Sequence, residues 1–152
     1  MTLSKQSIAQ AQSQINVQEY PKGSNAGPGV EKYLKCVGLG KGYAWCMAFV
    51  YWCVSEASKI EGITNPLVKT ALVMKQWNES AKLRVKDPQP GDIFIMDFGN
   101  GTGHTGFVLK VMSNGDIKTI EGNTDDGKGS REGYIITERI RKKSTIKGYL
   151  RI

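Results

Sequence analysis

Cys46, His104 and Glu121, with Asn123 two residues past the glutamate, are the side chains of this sequence best suited to nucleophilic chemistry. A thiolate can attack a carbonyl carbon, an imidazole can carry the proton, and a carboxylate or amide can hold the imidazole in one orientation. The chain has a single His, so any such arrangement must use His104. Cys46 follows Gly40 and Gly42 and opens the most apolar and aromatic run of the sequence, which reads as a loop entering a helix near Trp45. In the first helical turn the backbone N–H groups lack intrahelical partners, and their positive field favours a thiolate. On its own a reduced Cys in an apolar helix is ordinarily a small core residue. Cys53, seven residues on, shares that helix face two turns deeper and is expected to be inert core.

The elements that must bring these groups together read in order as helices and then strands. Ile8, Ala11 and Ile15 at helical spacing give an amphipathic helix over residues 4–17, and a Pro- and Gly-rich loop over 19–29 leads to a second helix over 29–37. A third helix covers 45–60 and a fourth 67–81, with Leu67, Ala71, Met74 and Trp77 on one stripe. After Pro88 and Pro90 the period becomes alternating. Strands are expected from Gly91, over 104–112, 117–123, 134–141 and 147–152, with a polar loop over 124–133. Helices followed by an antiparallel sheet make an α+β domain. One domain over 1–152 is expected, with an N-terminal helix in 1–19, a helical half over 20–87 and a β half over 88–152.

Asn114-Gly115 reads as a two-residue hairpin turn. With Ser113 and Asp116 flanking it, His104 faces Asp125, Gly106 faces Asn123 and Val108 faces Glu121. His104, Glu121 and Asn123 then project from one side of the sheet, with Asn123 diagonal to His104. A slip of one residue would send the acid to the opposite face. Gly101, Gly103 and Gly106 clear bulk around the imidazole, as the floor of a cleft requires.

Composition narrows the rest. Hydrophobic residues at 39% and charged residues at 23% describe a globular chain, and no apolar run approaches a membrane span. Residues 1–17 are polar and lack the apolar core of a Sec signal, so action outside the cytoplasm would need lysis or a dedicated secretion device. Cys36, Cys46 and Cys53 are an odd set, and Cys46 and Cys53 on one helix would lie roughly 10 Å apart, beyond disulfide reach. No metal-ligand spacing is present. The net charge of +7 is concentrated toward the C-terminus, where Arg139, Arg141, Lys142 and Lys143 cluster without interleaved aromatics. That argues against nucleic acid and leaves an anionic polymer or a solvated basic face.

Trp45-Cys46 at a helix start, Pro90-Gly91-Asp92-Ile93 before a strand, Gly103-His104-Thr105-Gly106 and Glu121-Gly122-Asn123 together resemble the CHAP amidases and peptidases, papain-like relatives of the NlpC/P60 enzymes. The resemblance covers residues 20–152. It implies that Cys46 is the nucleophile, His104 the base and then the acid, Glu121 the group holding the imidazole, and Asn123 an auxiliary. It further implies a hydrolase of amide bonds in peptidoglycan peptides, a phage lysin or a secreted antibacterial effector. Many relatives place Gln before the Cys, where this chain has Trp45. Oxyanion donors are therefore sought in the Cys46 N–H, Tyr43 and Asn25, and Trp45 and Tyr43 are candidate walls of a peptide groove. Some relatives bind calcium through Asp residues just ahead of the Cys; residues 37–45 contain none, so no metal and no cofactor are expected. Peptidoglycan is the expected partner of a monomer, with a cognate immunity protein as a second and neither nucleic acid nor membrane. A transglutaminase-like acyltransferase and a non-catalytic binder of anionic polymer are the rival readings.

Overall fold

A computed structural model describes residues 1–125 and 133–152, so most of the loop expected over 124–133 lies outside the described residues. Four helices come first: α1 (Leu3–Gln12), α2 (Pro28–Cys36), α3 (Cys46–Glu61) and α4 (Val73–Glu79). Six strands follow, β1 (Arg84–Val85), β2 (Ile93–Gly99), β3 (Thr102–Val111), β4 (Ile117–Thr124), β5 (Ile135–Arg141) and β6 (Gly148–Leu150). They form one antiparallel sheet in the order β1-β6-β2-β3-β4-β5. The α+β class and the order of helices then strands are as the sequence predicts.

Strand alternation divides the core. Ile93, Ile95, Phe107, Ile120 and Leu150 pack with Phe49, Val50 and Cys53 of α3 on the helix-covered face. Phe94, Met96, Val108, Ile117 and Tyr149 form a second cluster from the alternate positions. Helix α3 is apolar on several sides because it is held by α1, α2, β3 and β4 together.

Three boundaries differ from the periodicity. Helix α1 stops at Gln12, where the Ser13 hydroxyl turns back to the Gln10 carbonyl and offers the backbone an alternative to the helical ladder. The chain then runs along β5, bonding Asn16 N–H to the Ile136 carbonyl and Ile136 N–H to the Val17 carbonyl, both at 2.9 Å. Helix α4 is shorter than 67–81 because side chains satisfy the backbone ahead of it: the buried Gln76 amide accepts from Val68 N–H at 3.0 Å and donates to its carbonyl at 2.7 Å. Strand β1, two residues long, is too short to show alternation in sequence.

The hairpin between β3 and β4 corrects the expected register. Met112 N–H donates to the Asp116 carbonyl at 2.8 Å, so the loop is Ser113, Asn114 and Gly115. A two-residue type I′ turn needs positive φ at both Asn114 and Gly115; only Gly115 has it, at 90°, as three-residue loops require. Past the turn Val111 pairs with Ile117 and Lys110 with Lys118, Leu109 is an extra residue, and pairing resumes as Val108 with Thr119 and Phe107 with Ile120. The partner of Val108 is thus displaced by two positions, from Glu121 to Thr119. One displacement comes from the turn and would alone turn Glu121 away from His104. The bulge at Leu109 supplies the second and returns it.

Candidate active site

Cys46 is the first residue of α3, and Trp45 is its cap. The first intrahelical bond runs from Phe49 N–H to the Trp45 carbonyl at 2.9 Å, which leaves the Cys46 N–H outside the helical ladder. The helix end is seated on β4 through Gly122, where a side-chain carbon would stand 2.9 Å from both the Phe49 and Trp45 rings. Only glycine permits that approach.

His104, on β3, is buried beside the Cys46 side chain, whose interaction raises its pKa. Its Nε2 meets Glu121 Oε1 at 2.7 Å, so Nδ1 is the ring nitrogen left for the thiol. Gly106 makes this possible, since a side-chain carbon there would lie 2.9 Å from Glu121 Cγ and 2.8 Å from the Phe94 ring. Glu121 has no exposed surface. Its Oε2 accepts from the Thr119 hydroxyl at 2.6 Å and from Arg141 Nε at 2.8 Å, and Arg141 Nη2 reaches Oε1.

The electrostatics follow from these contacts. Burial works against an imidazolium at His104, but hydrogen bonds and charge from Cys46 and Glu121 overcome it and raise the pKa to about 9. Burial likewise works against a charged Glu121, yet the Arg141 and His104 contacts hold that carboxyl well below the usual carboxylate range. At neutral pH the centre is a buried carboxylate and a protonated imidazole, with the Cys46 side chain on the imidazole's far side. Cys53 is the contrast: wholly buried among apolar groups, its thiol is pushed well up by desolvation.

Asn123 does not lie against the imidazole. It has φ of 53° at the break in β4–β5 pairing, and the amide orientation that satisfies both neighbours accepts from Trp45 N–H at 3.3 Å and donates to the Gly133 carbonyl at 2.9 Å. Asn123 therefore fixes the backbone just ahead of the thiol, and Glu121 alone of the two contacts His104. Trp45 is corrected too. Its ring is fully buried, stacked on Tyr33 with centroids 5.8 Å apart, and its indole N–H donates to Glu19 Oε2 at 2.9 Å. It walls no groove, and its own amide is taken by Asn123.

Tyr43 stays exposed. Asn25 is tied to the same loop: its carbonyl accepts from Gly42 N–H at 2.8 Å and its own N–H donates to Glu19 Oε1 at 2.9 Å. With φ of 51° it adopts a conformation uncommon outside glycine, which clusters at functional sites. Glu19, Thr119 and Arg141 are the members of this network that the sequence left unmarked. A lone acid in a Pro-Gly loop, a strand Thr and one Arg of a basic run carry no local signal of a shared site.

A family model of the CHAP domain matches residues 38–123, a span that holds Cys46, His104, Glu121 and Asn123. The chain belongs to the CHAP domain family. CHAP domains are cysteine amidase and peptidase domains of the papain-like class. Membership points to hydrolase activity of the peptidoglycan amidase or peptidase type. The match is narrower than residues 20–152, and it leaves Glu19, Asn25 and Arg141 outside. No curated protein and no solved structure matches the chain.

Proposed function

We propose that this CHAP domain cleaves an amide bond in peptidoglycan peptides through Cys46, His104 and Glu121, as an N-acetylmuramoyl-L-alanine amidase or an endopeptidase. The observation that carries the reading is His104, in contact with the Cys46 thiol on one side and 2.7 Å from Glu121 on the other. The Cys46 proton rests on His104 as the imidazolium, and the Cys46 thiolate attacks the amide carbonyl carbon. The resulting oxyanion collapses to a thioester as the imidazolium gives its proton to the leaving amine. Neutral His104 then takes a proton from water, the hydroxide attacks the thioester, and the acid product leaves with the Cys46 thiolate and the His104 imidazolium restored.

Glu121 keeps one ring orientation through both steps and stabilises each imidazolium. The Cys46 N–H, free of the helical ladder, is one donor to the oxyanion, and the Asn25 side-chain amide is the second. Action on the wall after phage lysis or dedicated secretion fits such a hydrolase, with a cognate immunity protein protecting a producer cell.

Digestion of purified sacculi followed by mass spectrometry tests this. The expected result is soluble muropeptides with new free amines from wild type and none from Cys46→Ala or His104→Ala, each shown to be folded at the assay temperature by circular dichroism. Release that persists in either variant removes that residue from the mechanism, and no release by wild type overturns the substrate.

A further inference from the structure

A cleft of about 700 Å³ opens beside the β1–β6 edge of the sheet, with Arg84, Lys86, Asp87, Lys143 and Lys147 among its lining residues. None of its lining residues belongs to the Cys46 cluster. Val111, at its margin, stands seven residues along β3 from His104, roughly 23 Å at about 3.3 Å per residue.

Its charge is one-sided, four cations against the single carboxylate of Asp87. The basic C-terminal segment divides accordingly. Arg139 pairs with Asp125, Arg141 with Glu121 and Arg151 with Asp92, so these arginines neutralise carboxylates of the fold. Among the described residues no carboxylate pairs with Arg84, Lys86 or Lys143, and Lys147 reaches Asp97 only at 3.5 Å.

Arg84 is also held in place. Its guanidinium lies 4.3 Å over the Trp77 ring and donates twice to the Trp77 carbonyl, at 3.2 and 2.7 Å. Trp77 in turn rests on Gly148, where a side-chain carbon would come within 2.5 Å of the ring. A cation ordered before its ligand arrives lowers the entropy lost on binding.

We propose that this cleft binds an anionic glycan of the cell envelope, a strand carrying carboxylate or phosphate groups, and so retains the enzyme on the wall it cuts; this rests on the peptidoglycan reading above. Apolar Val85 and Ile146 between the cations suit the C–H faces of sugar rings. Nucleic acid is disfavoured, because Arg84 covers Trp77 and Tyr149 is 5% exposed, leaving the cleft no open aromatic face on which a base could stack.

Co-sedimentation of Cys46→Ala protein with intact sacculi, and with sacculi stripped of phosphate polymers, tests the cleft without relying on turnover. Retention is expected to weaken as salt rises from about 0.05 to 0.5 M. The pair Lys86→Glu and Lys143→Glu, both exposed positions, is expected to lower retention at least about tenfold, with melting temperature and wild-type-background hydrolysis of soluble muropeptides unchanged. Loss on stripped sacculi assigns the ligand as phosphate, and retention there assigns it as carboxylate. Unchanged retention in the double variant, or preference for single-stranded DNA or an acidic peptide over sacculi, overturns the proposal. Retention without any muropeptide hydrolysis by wild type would instead overturn the proposed function and leave the cleft standing.

Discussion

Arg141 donates to both carboxylate oxygens of Glu121, Nε to Oε2 at 2.8 Å and Nη2 to Oε1 at 2.5 Å, from the strand beside it. The fork fixes the carboxylate plane, and His104 meets an acceptor that is already ordered. Removing the guanidinium leaves a charge with no exposed surface and one cation fewer. Arg141→Leu is expected to destabilise the fold by about 3 to 5 kcal/mol, read as a fall in melting temperature. Arg141→Lys, which restores charge without the fork, is expected to recover much of the stability and less of the turnover. Full turnover in Arg141→Leu would sever Arg141 from the site.

The protonation of His104 sets an alkaline limit. With its pKa raised to about 9, His104 stays protonated through neutral pH, and in the proposed mechanism that imidazolium protonates the leaving amine. The kcat/KM profile is expected to fall above about pH 9, and Glu121→Gln, which removes the carboxylate that holds the charge, is expected to shift that limb to lower pH. A limb that stays in place would mean that Glu121 does not govern His104.

Stability carries the same signature. Because the His104 pKa is raised from 6.5, its contribution is complete below about pH 6.5 and is lost as pH rises through about 9. Glu121 is lowered from 4.5, so its contribution is complete above that value and fades as pH falls far into acid. Together they contribute most between about pH 4.5 and 6.5. Thermal unfolding is expected to show a decline from pH 6.5 to 9 in wild type that is smaller in Glu121→Gln.

Glu19 joins Trp45, next to the thiol, to the Asn25 loop. Glu19→Ala leaves the buried indole N–H unpaired, at a cost of about 1 to 3 kcal/mol, and frees the Asn25 loop. We expect a lower melting temperature together with reduced kcat at little-changed KM. Replacement by Gln, which keeps an acceptor for the indole, is expected to recover stability first.

Thiol labelling separates the two helix cysteines. Iodoacetamide is expected to modify Cys46 far faster than Cys53, whose thiol is wholly buried and pushed up by desolvation. Equal rates, or reaction at Cys53 first, would contradict the assignment of the nucleophile.

Much of this was legible in the chain. The glycines ahead of Cys46 and the unbroken apolar run placed the thiol at a helix start, and alternation after Pro90 gave the sheet. The pairing of His104 with Glu121 also survived, although by a route the sequence does not display: the turn and the bulge each moved the register by one. Asn123 and Trp45 were misread because their partners, the Trp45 amide and the Glu19 carboxylate, come from segments far away in sequence. Arg141 hid for the opposite reason. In a run of basic residues, nothing local distinguishes the one that faces a buried acid.

The unpaired Leu109 also gives the hairpin a spare length. Deleting it would leave Val108 opposite Thr119 and Lys110 opposite Lys118, a ladder without the bulge in which His104 and Glu121 still share a side. Among variants of this chain, loss of Leu109 is therefore compatible with an intact centre, whereas a single-residue gap between Ile117 and Glu121 has no such reserve.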